Sequence, residues 1–163
     1  MFSEECVLII TGPAQMHIED TRDVVLISTS LGAGIGLAAY DSETNIGGIL
    51  HFLLPSSANN KLRAKQNPLL FADSGIQTFL EQLEQHGVKT HSLKLVAAGA
   101  SHNINQETPY DIAHRNCLAV KAILAGYRLT PTHEDFGGSF YRVLRIQDSH
   151  IYVEIPGHGE KRI

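Results

Sequence analysis

The sequence predicts an α+β fold in which mixed β-sheets are flanked by a few helices. Two observations support this prediction. Strand-like runs of β-branched and other apolar residues outnumber the segments with helical periodicity. Several of these runs are joined by turns too short to contain a crossover helix, so neighbouring strands must often be antiparallel. The pattern therefore argues against a doubly wound parallel sheet.

The first half of the chain contains four predicted strands and one glycine-rich turn. Gly32, Gly34 and Gly36 lie between or within the middle two strands, where a strand bends or another backbone approaches closely. Pro55 ends the fourth strand, and the polar segment 56–67 is predicted to be a mobile loop. The predicted strands are residues 6–10, expected to be short and buried, and then residues 24–28, 35–40 and 46–54.

The strongest helical signal covers residues 70–86. Gly87 follows it as the residue just past a helix end, where a left-handed backbone is easiest for glycine. A strand at 93–98 and a tight turn of small residues at 98–101 come next, and a second helix covers 112–125 and stops at Gly126. Residues 127–130, 141–146 and 151–155 are the last predicted strands. One face of the first helix is formed by apolar residues at the spacing i, i+3, i+4, i+7, namely Ile76, Phe79, Leu80 and Leu83.

Length and composition indicate a single globular domain covering residues 1–163. The chain is 43% apolar and 18% charged, which is ordinary for such a domain. Its net charge of −4 without a basic cluster argues against a nucleic-acid partner. No apolar run approaches the about 20 residues that a membrane span requires. The first ten residues carry acids where a secretory signal would carry Lys or Arg, so we expect a cytoplasmic protein that is not membrane-embedded.

No metal or other cofactor is expected. The nine histidines are scattered, and Cys6 and Cys117 lack the spacing of metal ligands or of a disulfide framework. Both cysteines are predicted to be buried, unreactive thiols. The glycines at 32–36 do not form a dinucleotide-binding fingerprint, because its third glycine would fall at Leu37 and no helix follows.

A single histidine, His51, interrupts the apolar run 49–54. Strand alternation places it on one face with Ile49 and Leu53. Periodicity alone favours a core histidine satisfied by one or two hydrogen bonds. The functional alternative is a general base held on a rigid strand.

Two further segments have a plain structural explanation. Residues 135–139, with Arg142 shortly after them, are predicted to form a tight turn that enters a strand. Arg115 and Asn116 lie near the start of the second helix, where they could bind an acid, cap a loop or form a surface ion pair.

Taken together, these segments resemble the family of CheD-type chemoreceptor glutamine deamidases. The order and spacing hold from about residue 24 to about residue 155. The combination is specific although no single motif is. The matching segments are residues 31–34 (LGAG) followed by Asp41, residues 46–48 (IGG) through His51 to 54–55 (LP), the helix with 72–73 (AD) that ends at Gly87, residues 98–100 (AGA), 115–116 (RN), and 134–138 (EDFGG) with Arg142.

The resemblance implies a mixed β-sandwich with helices outside it, and hydrolysis of glutamine side-chain amides to glutamate on methyl-accepting chemotaxis receptors. In this family a Cys thiolate attacks the carboxamide carbon, a His moves protons, ammonia leaves, and water cleaves the thioester. The resemblance implies that His51 is the catalytic histidine. It also implies that a polar residue near Ser28 orients His51, where the family usually has Thr. Receptor cytoplasmic helices and CheC-type phosphatases are the implied partners.

The chain departs from the family at the nucleophile. The family motif Leu-Gly-Ser-Cys falls on residues 31–34, so Gly34 occupies the position of the nucleophilic Cys. The match from residue 31 to residue 55 has no gap, so a shift of register does not supply a thiol. Three substitutes are conceivable: a serine (Ser28 or Ser30), a cysteine (Cys6 or Cys117), or a water activated by His51 without covalent catalysis.

Three functional hypotheses follow. The first is a glutamine deamidase of this family. The second is a catalytically inactive binding module, or pseudoenzyme, for receptor helices or a CheC-type phosphatase. The third is a hydrolase of another class that pairs Ser30 with His51, although no acid partner and no G-x-S-x-G elbow is visible. The missing nucleophile favours the second hypothesis on physical grounds, whereas the family resemblance favours the first.

Overall fold

The computed structural model describes residues 5–102 and 111–163, which fold into two five-stranded sheets and three α-helices. The helices are α1 (Lys61–Gln66), α2 (Ala72–Gln85) and α3 (Ile112–Gly126). The strands are β1 (Val7–Thr11), β2 (Gln15–Asp20), β3 (Val24–Ser28), β4 (Ile35–Asp41), β5 (Ile46–Phe52), β6 (Lys94–Gly99), β7 (His133–Phe136), β8 (Val143–Gln147), β9 (His150–Ile155) and β10 (Gly159–Arg162).

Both sheets are mixed. The first has the order β1-β3-β8-β9-β10, with β1 and β3 parallel and the other neighbours antiparallel. The second has the order β2-β5-β4-β6-β7, and only β6 and β7 are parallel in it. The predicted α+β fold with mixed sheets is therefore confirmed.

The two sheets pack face to face around an apolar layer. Alternation along β4 and β5 directs Ala38 and Ile49 toward the first sheet, where Leu26 of β3 and Leu144 of β8 meet them. This packing is the β-sandwich that the family resemblance implied. The buried members of the layer are Leu26, Leu31, Ala38, Tyr40, Ile49, Val96, Ala98, Leu144, Ile146, Ile151 and Val153.

The helices cover the outer face of the second sheet. On the opposite face of β4 and β5, Leu37, Leu50 and Phe52 point toward the helices and belong to a second apolar cluster. Ile76 and Phe79 of α2 are fully buried in this cluster, as their helical spacing predicts. Every residue of β4 is buried because both faces of this strand are covered.

The end of α2 confirms the role predicted for Gly87. Its φ of +87° is in the left-handed region. The Gly87 N–H donates to the Glu84 carbonyl at 3.0 Å, and the Val88 N–H donates to the Leu83 carbonyl at 3.1 Å. This hydrogen-bond pair is the Schellman motif, which satisfies the last carbonyls of a helix.

The predicted strand at residues 127–130 is wrong, because these residues complete a second Schellman motif at the end of α3. Arg128 has a φ of +60°, and its N–H donates to the Ala125 carbonyl at 2.9 Å. The Leu129 N–H donates to the Leu124 carbonyl at 2.9 Å. The N–H groups of Arg128 and Leu129 are therefore bonded to carbonyls of α3 and are not free to pair with a neighbouring strand.

Other predictions fail at the edges of the fold. Residues 56–67, expected to be a mobile loop, contain α1, whose first turn is capped by Asn60 accepting from the Arg63 N–H at 3.3 Å. Strands β2, β7 and β10 were not predicted. Strand β10 contains no apolar residue and β7 contains only Phe136, whereas β2 carries the alternating pair Met16 and Ile18, which the sequence prediction missed. The strand predicted at 6–10 exists as β1, but it lies at a sheet edge and is mostly exposed rather than buried.

Candidate active site

His51 lies in β5 on the face turned toward the first sheet. It is flanked by Gln15 of β2 and Gly36 of β4, and only 2% of its surface is exposed. Burial lowers the pKa of His51 from its usual 6.5 to about 4, because the charged imidazolium is poorly solvated there. The imidazole is therefore neutral at physiological pH.

The hydroxyl next to His51 belongs to Thr29. Thr29 Oγ1 lies 3.4 Å from His51 Nδ1, and the direction of this long hydrogen bond depends on the imidazole tautomer. Ser28, the residue predicted for this role, instead turns its Oγ into the sandwich, where it accepts from the Leu144 N–H at 2.9 Å. Strand β3 ends at Ser28, and Thr29 is the next residue, whose N–H donates to the Thr11 carbonyl at 2.9 Å. The structure therefore brings Thr29, and not Ser28, to the histidine.

Gly34 faces the other nitrogen of the imidazole. A Cβ built on Gly34 would lie 3.3 Å from His51 Nε2, 3.0 Å from Leu53 Cδ2 and 2.6 Å from the carbonyl oxygen of Phe52. The φ of Gly34 is outside the left-handed region, so backbone strain is not what requires glycine here. The close approach of the β5 backbone is the feature that leaves no room for a side chain.

The loop that carries Gly34 is held on both sides by backbone hydrogen bonds. Leu31 exchanges two of them with Arg142, at 2.8 and 3.2 Å. The Gly32 carbonyl accepts from the Ser101 N–H and the Gly34 carbonyl accepts from the Ala100 N–H, both at 2.9 Å. Residues 98 and 99 of the turn predicted at 98–101 instead belong to β6, and the small residues that follow them support the loop before β4.

Asn116 connects α3 to the same loop. Its Nδ2 donates to the Ala33 carbonyl at 3.0 Å and to the Leu53 carbonyl at 2.9 Å, and the residue is fully buried. Its Oδ1 is buried without a hydrogen-bond partner among the residues described. Residues 115–116 were predicted to bind an acid, cap a loop or form a surface ion pair. Only Arg115 is exposed, while Asn116 fixes the two chain segments that flank Gly34 and His51.

Arg142 organises the turn between β7 and β8. It is 6% exposed, and its guanidinium donates to the Phe140 carbonyl at 2.8 Å, to Asp135 Oδ1 at 2.9 Å and to the Gly137 carbonyl. Residues 135 and 136 of the turn predicted at 135–139 instead belong to β7, and the bend that follows them is fixed by a buried cation. This bend presents Phe140 and Tyr141, which are 51% and 48% exposed, beside the Leu31 end of the site.

Neither cysteine is placed beside His51. Cys6 is exposed just before β1, so the prediction that it is buried is wrong. Cys117 is partly buried on α3 against the helix-side cluster, across the second sheet from His51, and burial raises the pKa of its thiol. Ser30 is exposed, and the Ser28 hydroxyl already accepts a hydrogen bond from the Leu144 N–H. The site thus contains a neutral imidazole and the Thr29 hydroxyl, with no side chain at the position opposite Nε2.

Within residues 5–102 and 111–163, no group of three or more His, Cys, Asp or Glu side chains is placed to hold a metal ion. Among the same residues, no helix is long and apolar enough to cross a membrane.

Comparison with known proteins identifies a matching family over most of the chain. The family described as CheD chemotactic sensory transduction matches residues 53–155. A Solibacter usitatus protein named "Probable chemoreceptor glutamine deamidase CheD" is 35% identical over 139 residues, covering 85% of this chain and 82% of the relative. The Bacillus subtilis protein named "Chemoreceptor glutamine deamidase CheD" is 32% identical over an alignment of 168 residues that covers all of both chains.

Proposed function

Because this chain belongs to the CheD chemotactic sensory transduction family, we propose that it acts on chemoreceptors in chemotaxis signalling by binding them without hydrolysing their glutamine amides. In this proposal residues 1–163 form one domain, and the partner is a chemoreceptor because the relatives are named chemoreceptor glutamine deamidases. Hydrolysis is absent because Gly34 supplies no nucleophile beside His51.

The observation that carries the proposal is the absence of a side chain at Gly34. Covalent amide hydrolysis needs a nucleophile within reach of a base. A side chain at position 34 would begin 3.3 Å from His51 Nε2, but Gly34 has no side chain to supply the nucleophile. The thiol of Cys117 lies across the sheet, and its raised pKa leaves it less ionised than a free thiol.

The second candidate function is glutamine hydrolysis by direct attack of water. The relatives favour it because they are named glutamine deamidases. His51 would then have to act as the general base. A general base is most effective when its pKa lies near the working pH, and the pKa of His51 is lowered to about 4. This makes the imidazole a weak base, which is why we favour binding.

The surface beside the site supplies groups suited to a protein partner. Phe140 and Tyr141 are half-exposed on the turn that Arg142 fixes, and the Phe140 ring lies 4.2 Å from the ring of His158. Exposed aromatic side chains on a rigid backbone are typical anchors of protein interfaces. We propose that receptor cytoplasmic helices dock across this turn. A CheC-type phosphatase, implied by the family resemblance alone, is a competing partner for the same surface.

The test measures binding and chemistry in the same mixture. Purified protein is titrated with a chemoreceptor cytoplasmic fragment, and affinity is followed by calorimetry while glutamine hydrolysis is followed by mass spectrometry. We expect binding without hydrolysis. Phe140→Ala and Tyr141→Ala should each weaken binding, since truncating an interface anchor costs about 1 kcal/mol or more, equivalent to roughly fivefold or more in Kd.

The matched control is Tyr127→Ala, which removes an aromatic ring of similar exposure, 46%, from the end of α3. It should leave the affinity unchanged. Equal weakening by all three substitutions would contradict the proposed docking surface. No binding of any receptor fragment, or hydrolysis that His51→Ala abolishes, would contradict the proposed function itself.

A further inference from the structure

Strand β1 is an edge of the first sheet that no strand among residues 5–102 and 111–163 covers. Of the eight large hydrophobic residues that are exposed in the described part of the chain, three lie in this one strand: Val7, Leu8 and Ile10, at 55–58% exposure. The sequence of β1, VLIIT, contains no charge and no proline. Natural proteins usually protect such an edge with charged side chains, prolines or bulges, because its free backbone groups invite pairing with another strand.

The other three edge strands carry that protection. The opposite edge of the same sheet is β10, whose four residues include Glu160, Lys161 and Arg162. The edges of the second sheet are β2, with Glu19 and Asp20, and β7, which also contains two acidic residues. The lack of charge is therefore specific to β1 and is not a general property of the fold.

The backbone of β1 offers hydrogen-bonding groups at two positions. In a parallel pair, alternate residues of a strand bond to the neighbouring strand. The Val7 N–H donates to the Asp23 carbonyl at 3.0 Å, and the Thr11 carbonyl accepts from the Thr29 N–H at 2.9 Å, so the odd-numbered residues face β3. The N–H and C=O groups of Leu8 and Ile10 consequently point away from β3, toward the open edge.

From this geometry we infer that β1 is a homodimerisation strand, which pairs antiparallel with β1 of a second copy about a two-fold axis at Ile9. In this register Leu8 lies opposite Ile10 of the second copy, and Ile10 lies opposite its Leu8. Both are hydrogen-bonded pairs of an antiparallel ladder, so the outward backbone groups of Leu8 and Ile10 are all used. The first sheet of one copy and the first sheet of the other then form one continuous sheet.

A second copy fits this edge better than an unrelated chain for three reasons. The two residues with free backbone groups are placed symmetrically about Ile9, so the strand is its own complement. Because β1 has no charge, self-pairing brings no like charges together. Two-fold pairing also closes the assembly, since it leaves β1 of neither copy available for a third chain. Val25 and Ile27 of β3 lie beside Leu8 and Ile10 on the outer face of the sheet. The contacts between Leu8 and Ile10 of the two copies would extend this apolar face across the dimer.

The test is the mass of the full chain in solution as a function of concentration, measured by sedimentation equilibrium. We expect a monomer–dimer equilibrium for the unmodified protein. Leu8→Glu and Ile10→Lys should each weaken dimerisation by about tenfold or more, because each places an unpaired charge against an apolar side chain of the second copy. Both side chains are more than half exposed, so the variants should fold, which circular dichroism and thermal unfolding will verify.

The double variant Leu8→Glu/Ile10→Lys tests the register. In the proposed pairing each introduced carboxylate faces an introduced ammonium group, so the double variant should dimerise more strongly than either single variant. Leu62→Lys is the matched control, because it removes a 70%-exposed leucine from α1 and should leave the dimer intact.

Four results would overturn the inference: a monomer at every concentration, polydisperse aggregates in place of a dimer, a dimer that survives both single substitutions, or a double variant no better than the single ones. The receptor-binding proposal does not depend on any of them.

Discussion

Replacing Gly34 with alanine should destabilise the protein, because the space that the new methyl group needs is already occupied. The Cβ would lie 2.6 Å from the Phe52 carbonyl oxygen, whereas ordinary van der Waals contact begins at 3.4 Å. Phe52 belongs to β5 and pairs with Ile35 of β4, so the obstructing atom is part of the sheet backbone and cannot rotate away. The two strands must separate locally by several tenths of an ångström.

The expected cost follows from this overlap. Overpacking of a well-packed interior typically costs about 1–3 kcal/mol. For a chain of this length each kcal/mol lowers the Tm by roughly 2–4 °C, so Gly34→Ala should lower it by about 2–12 °C. Differential scanning calorimetry and urea denaturation at neutral pH measure the effect.

Gly32→Ala provides the matched control in the same loop. A Cβ on Gly32 has no neighbour within 4 Å, and its φ is not in the left-handed region. This variant should be neutral or slightly more stable, by up to about 1 kcal/mol, since alanine restricts the unfolded chain. If Gly34→Ala were as stable as Gly32→Ala, the close approach of β5 to this loop would be refuted, and with it the explanation of why position 34 has no side chain.

Two further predictions concern buried polar residues near the site. His51 accepts a proton below about pH 6.5 in the unfolded chain but only below about pH 4 in the folded one, so the free energy of unfolding should fall by about 3 kcal/mol as pH falls through this window. His51→Gln should remove that part of the urea-denaturation pH profile, whereas substituting the exposed His91 in the same way should retain it. Asn116→Asp replaces a donor to two carbonyls by an acceptor and should cost at least about 2 kcal/mol. The exposed Arg115→Ala should stay within about 0.5 kcal/mol, and equal urea midpoints for the two variants would exclude the proposed role of Asn116.

The fold was predictable where burial imposes a period on the sequence. The helix α2 follows from its apolar spacing and from Gly87, and β3 to β5 follow from their apolar runs. Strand β10 could not be found in this way, because it faces solvent and contains no apolar residue, whereas the alternation of Met16 and Ile18 in β2 was present in the sequence and was missed. The Schellman motif at Arg128 was hidden for a related reason, since a non-glycine residue in the left-handed region leaves no signal in the sequence.

The site was predictable only in part. His51 was singled out because a titratable residue interrupts an apolar run, and the structure places it opposite Gly34. The polar neighbour of His51 was predicted at Ser28 from the family resemblance, and the structure places the next residue, Thr29, beside the imidazole. The burial of Asn116 depends on how α3 docks against residues 33 and 53, a long-range contact that local sequence does not encode.

The intact mass of a receptor cytoplasmic fragment after incubation with this protein distinguishes receptor binding from hydrolysis of receptor amides. The Bacillus subtilis relative, run in parallel on the same fragment, serves as the positive control because its name assigns it this activity. We predict that the fragment binds this protein but keeps its mass, while the relative produces the mass gain of glutamine converted to glutamate. The same mass gain with this protein, lost in His51→Ala, would show that it hydrolyses receptor amides and is not a binding module.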